Sequence, residues 1–195
     1  MRNRIGLAAF ATLLALSLVA GTARAGGGGE VTEFDVHVGD AFLFGLSIAP
    51  VDVAQASNGD TIEVIFTGRF DTEDGQAEGT GDFRHFDKSG NLVEFGTFKA
   101  KRLISFDDFG LAGFTVPFPP TSHGGNALIG IRAVAYSSIF NPVPTKFDAT
   151  LTVGCAFGPL LPAGFEEGIT LAVEGGLNFT KKVSGNNLLV ASPED

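Results

Sequence analysis

The chain has 195 residues, a net charge of −9, 27 glycines, 19 phenylalanines, one cysteine and no tryptophan. That acidity opposes binding to nucleic acid or to anionic lipid surfaces, and a lone cysteine excludes an intramolecular disulfide. The length suits one domain, which at this size buries roughly 70% of its unfolded surface.

Residues 1–25 read as an export signal. A basic MRNR start is followed by an apolar run and by the small-x-small site Ala23-Arg24-Ala25. The apolar run is short for a membrane span and lacks a stop-transfer flank. Cleavage after Ala25 removes three arginines and moves the net charge from −9 to about −12. The expected location is therefore extracellular or periplasmic. Residues 26–30 form a glycine linker, and 31–191 are expected to make a single all-β domain.

Val31 to Val38 and Ala41 to Ile48 are expected as a first pair of strands about Gly39-Asp40, and Pro50 to Asp60 as a loop. Thr61 to Phe106 then reads as three antiparallel strands, the centre of the chain. Ile62, Val64, Phe66, Gly68 and Phe70 share one face with period two, the mark of a half-buried strand. Asp74-Gly75 is a two-residue hairpin signal. A turn there pairs Phe70 with Gly79, Gly68 with Gly81, Phe66 with Phe83 and Val64 with His85. The second turn, Asp87 to Asn91, pairs Asp87 with Leu92, His85 with Glu94, Phe83 with Gly96 and Gly81 with Phe98. A one-residue slip would carry Thr97 and Lys99 onto the apolar face. Phenylalanine thus stands opposite glycine repeatedly, and a ring lying over bare backbone allows strong curvature.

Asp107-Asp108-Phe109-Gly110 is expected to break the ladder, and Val116 to Asn126 to form a surface loop. Ala127 to Ser137 is a strand with Ile129, Ile131, Ala133 and Ala135 on one side. Lys146 to Phe157 alternates cleanly and carries Cys155 on its apolar face, as a small buried hydrophobe. Gly158 to Gly168 is a loop, Ile169 to Glu174 and Leu177 to Val183 a hairpin, and Asn187 to Ala191 a closing strand. About ten short strands and no helical periodicity indicate an antiparallel, strongly curved sheet forming a small β-barrel, with a β-sandwich as the alternative. At the level of fold the meander resembles small curved barrels such as calycins and dirigent-type barrels. The Gly-x-Trp of lipocalins is missing, and the likeness carries no function.

Three functions are compatible with these residues. The first is a secreted, non-enzymatic module that binds a small hydrophobic molecule among Phe66, Phe83 and Phe98, with Arg132 and Tyr136 lining the cavity. The second is a small isomerase- or cyclase-type enzyme using the cross-strand neighbours His85 and Glu94 as an acid/base pair. The third is a surface-interaction domain with a filled interior. His37, His85 and His123 show no zinc spacing. Asp71, Glu73 and Asp74 are better explained by the turn than by calcium, because Gly75 stands where a ligand is needed. No metal or other cofactor is expected, and no catalytic motif occurs.

Overall fold

The computed structural model describes residues 31–46, 51–137 and 143–192. The signal and linker, the end of the expected second strand and the Asn141-Pro142 turn lie outside them. Among the described residues no helix is long and apolar enough to cross a membrane.

The all-β expectation holds. Ten strands form one antiparallel sheet that curves into a ring, in the order β1-β10-β6-β5-β4-β3-β2-β9-β8-β7, closed by β1–β3 and β6–β7 pairing. In chain order they are β1 (Glu33–Val38), β2 (Asp52–Ala56), β3 (Thr61–Asp71), β4 (Ala77–Phe86), β5 (Leu92–Leu111), β6 (Ser122–Ser137), β7 (Thr145–Cys155), β8 (Gly168–Val173), β9 (Phe179–Ser184) and β10 (Asn187–Ala191). One edge of β3 is shared, with Thr61–Val64 pairing β2 and Phe66–Asp71 pairing β1. One edge of β6 is shared in the same way between β10 and β7. The ring therefore closes through β1–β10 at one end and through β2, β9, β8 and β7 at the other.

The first hairpin keeps the expected face but slides by two residues. Phe66 pairs with Gly81, Gly68 with Gly79, Phe70 with Ala77, Val64 with Phe83 and Ile62 with His85. The cause is the turn. Asp71 accepts the Glu73 and Asp74 amides at 2.7 and 2.9 Å, and its own amide donates to the Gln76 carbonyl. Gly75, at φ +64°, offers its carbonyl to the Leu103 amide. A four-residue loop docked on β5 thus replaces the two-residue turn. The second turn is as expected up to its tip, where a bulge sets Phe86, not Asp87, against Leu92. Asp87 there accepts the Ser89 and Asn91 amides.

Three further expectations are corrected. Ala41–Gly45 is a helical turn, α1, not a strand, because buried Asp40 accepts the Leu43 amide and caps it. Asp52–Ala56, expected as loop, is β2. The ladder runs through Asp107-Asp108-Phe109-Gly110, since Asp108 accepts the Gly110 amide and a bulge absorbs the corner. An earlier bulge at Ala100/Arg102 reverses the alternation, leaving Ile104 exposed and Leu103 packed against the core.

The interior is filled along most of its length. Phe34, Phe70 and Phe106 cluster at the β1–β10 end, with ring centroids 4.8–5.3 Å apart. Phe66 and Phe98 stack at 5.6 Å in the middle. The rings lie over glycine backbone as the sequence suggests, though with altered partners. A methyl group on Gly68 or Gly79 would meet the Phe66 ring, one on Gly81 the Phe98 ring, and one on Gly96 the Phe83 ring.

Candidate binding pocket

The ring stays open at the end opposite the Phe34 cluster. There the start of β3, the end of β4, the start of β5 and the β8–β9 hairpin surround a cavity of about 260 Å³. Ile62, Phe83, Phe147, Leu171, Leu177 and Phe179 supply apolar wall. Except for Leu177, which lies in the β8–β9 connection, these positions are apolar because each continues the inward alternation of its strand. Phe83 and Phe147 meet edge to face at 6.1 Å. The polar groups are His85, Glu94 and Glu174.

His85 is held tightly by its surroundings. Its side chain is 14% exposed, its Nε2 lies 3.2 Å from Asp60 Oδ2, and its Nδ1 lies 4.0 Å from Glu94 Oε2. Its ring packs edge-on to Phe179 at 5.3 Å. Partial burial pushes the Asp60 carboxyl up, but hydrogen bonds from Asn58, His85 and the Lys88 amide outweigh it and hold it below the ordinary value. Asp60 thus stays ionised and fixes the imidazole, while Glu94 is 40% exposed. The expected His85/Glu94 adjacency is present, but the shorter contact is to Asp60. The sequence showed that aspartate only as the end of a loop.

The other expected lining residues fall into three places. Phe83 lines the pocket. Phe66 and Phe98 are buried beneath it over glycine and fill the interior. Arg132 and Tyr136 are on the outer surface, because β6 turns its alanines and isoleucines inward. Arg132 donates from Nε and Nη2 to Asp148 at 2.6 and 2.5 Å, and Tyr136 stacks on Phe95 at 5.8 Å. The Arg132 pair is exposed, so Arg132→Ala is expected to leave unfolding stability nearly unchanged. It should leave the pocket unaltered, as denaturant titration and ligand binding would show.

The remaining histidines also pair with aspartate. His37 Nδ1 lies 2.6 Å from Asp40, which also accepts the Thr67 hydroxyl at 2.7 Å, and His123 Nδ1 lies 3.0 Å from Asp108. Asp40 caps α1, Asp108 holds the β5 bulge, and neither pair opens onto the apolar cavity. A depression of similar volume at the opposite end is walled by Glu33, Arg69, Asp71, Asp74 and Glu78 and offers little apolar surface. Among the described residues no cluster of histidine, cysteine and acidic side chains is arranged to hold a metal ion. Comparison with family models, with curated proteins and with solved structures finds no match.

Proposed function

We propose that this protein is an exported, non-enzymatic binding module. It takes a small molecule with an apolar body and a hydrogen-bond-donating end into the pocket at the open end of the ring. The observation that carries the reading is the contrast between a packed interior and an unfilled apolar pocket that carries a few polar side chains, His85, Glu94 and Glu174. Such a pocket orients a ligand by one end while its walls desolvate the rest. The cavity lies just under the usual range for drug-sized ligands, roughly 300–1,000 Å³, so the molecule is small. Residues 1–25 support export.

Native mass spectrometry on protein recovered from its producing cells without refolding tests this. A small-molecule adduct that disappears on denaturation, and is lost in Leu177→Trp, is the expected result. A bare chain mass, or an adduct indifferent to Leu177→Trp, would count against the pocket. The position of His85 between Asp60 and Glu94 favours one second reading, acid/base catalysis on the bound molecule. His85→Ala separates the two, since a binding module keeps its adduct chemically unchanged while an enzyme accumulates unconverted substrate.

A further inference from the structure

The seam between β2 and the β8–β9 hairpin holds buried charge that the pocket itself does not use. Asp52 opens β2, is fully shielded from solvent, and neither carboxylate oxygen has a well-formed hydrogen bond. A methyl group on Gly185 would overlap that carboxylate, so the chain passes directly over it. Val64 of β3 is its backbone partner and contributes no charge. The groups facing it are Glu167 ahead of β8, Lys182 on β9, the Cys155 thiol on β7 and the Asn187 amide on β10.

Glu167 and the half-buried Lys182 thus act on Asp52 through their charges and not through direct contacts. Glu167 accepts the Asn187 amide at 2.7 Å and also the Ala156 amide, and both bonds favour its anion. Lys182 donates to the Glu166 carbonyl and lies 4.5 Å over the Phe165 ring. Asp52 has no comparable donor, so the proton that balances the cluster belongs to it. Burial pushes Asp52 up to about 7 and the Glu167 charge adds to this, while Asn186, Asn187 and Lys182 oppose it. Burial also raises Glu167 and lowers Lys182, and it lifts the Cys155 thiol well up, leaving it neutral.

At this seam β9 is weakly zipped, whereas β8 keeps an unbroken ladder with β7 from Gly168 to Val173. β8 and β9 share one paired position, Leu171 with Phe179. β9 is otherwise held by β2, through a ladder interrupted at Val53/Ala54 and again at Gln55/Ala56. The same hairpin supplies Leu171, Val173, Gly176, Leu177 and Phe179 to the pocket wall.

We propose that Asp52, Glu167 and Lys182 form a proton-operated latch that seats β9 when Asp52 is neutral and releases it when Asp52 ionises. Its consequence, a pocket whose wall is complete in acid and loosened near neutrality, rests on the binding role proposed above; the latch itself does not. Opening carries Asp52 into water, where it is an ordinary carboxyl. The open population then grows about tenfold per pH unit between the open-state and closed-state values, and levels off above about 7.

Amide hydrogen exchange on the full chain between pH 4 and 8, corrected for intrinsic exchange, reads this directly. The amides of β9 are expected to open more readily than those of β4 and β5, with protection falling about tenfold per unit until the plateau. In Asp52→Asn that slope disappears. Exchange of β9 only together with β4 and β5, or pH-independent β9 protection in the unaltered chain, overturns the latch. A carboxyl carbon-13 titration of Asp52 with an ordinary midpoint near 4 overturns it too, whether or not the variant folds. No ligand enters these readouts, so a pocket that binds nothing would leave the latch standing.

Discussion

Stability against denaturant is expected to fall as pH rises from about 4 to about 7, the reverse of the common acidic loss. The sign follows from Asp52. Its folded value, near 7, is raised above the ordinary aspartate 3.8, so between the two the native state holds a proton that the unfolded chain has released. The stabilisation is complete below the lower value and is lost on passing through the upper one. Three units at about 1.4 kcal/mol each make the loss as much as about 4 kcal/mol. Glu167, also raised by burial, acts in the same direction. Asp40 acts in the opposite one: burial pushes it up, but the Thr67, His37 and Leu43 hydrogen bonds outweigh that and lower it. Its contribution fades as pH falls below the ordinary carboxyl range, so the maximum lies near pH 4–5. Asp52→Asn, permanently neutral and of the same shape, is expected to flatten the fall and to raise the denaturation midpoint at pH 8. A wild-type profile that rises from pH 4 to 7 would contradict the placement of Asp52.

Gly81→Ala is expected to destabilise the protein by about 1–3 kcal/mol, the usual cost of overpacking. At an open strand position the same change would stabilise by roughly 0.5–1 kcal/mol, because glycine is the poorer strand residue. The sign reverses because the Phe98 ring and the Ile65 carbonyl together occupy the place of the missing side chain. Phe98→Ala, which empties a buried site, should cost about 3–5 kcal/mol. The double variant should cost less than the sum, since removing the ring relieves its part of the clash while the Ile65 carbonyl still opposes the methyl group. Additive effects in a urea-denaturation cycle would mean that ring and glycine are not packed together.

Most of the architecture was legible because burial acts on alternation, and alternation survives errors of register. The inward face of β3, β7 and β6 followed from residues such as Ile62, Leu151 and Ile129. The pairing of His85 with Glu94 followed from the Asp87–Asn91 turn. Asp60 was hidden by the first turn: a two-residue loop at Asp74-Gly75 displaces β4 by two positions against β3 and moves His85 away from it. The Asp71 carboxylate, able to satisfy two amides at once, made the longer loop the better one. Asp52 was hidden because its strand has only five residues and starts with a charge, which reads as loop until β9 covers it. Arg132 and Tyr136 belonged to the face of β6 that alternation alone could not orient. The α1 turn was masked by apolar residues equally suited to a strand, and only the Asp40 cap decides between them.

With the interior filled, a ligand can enter only at the pocket bordered by His85 and Glu94. Methyl NMR of the folded chain titrated with a small apolar amine, such as phenethylamine, tests it most directly. Saturable shifts are expected at Ile62, Leu171, Val173 and Leu177, with Ile129 and Leu151 unmoved. Shifts centred on Ile129 and Leu151 would reveal an internal cavity beneath the phenylalanines, and no saturable shift at the four pocket residues would remove the binding site.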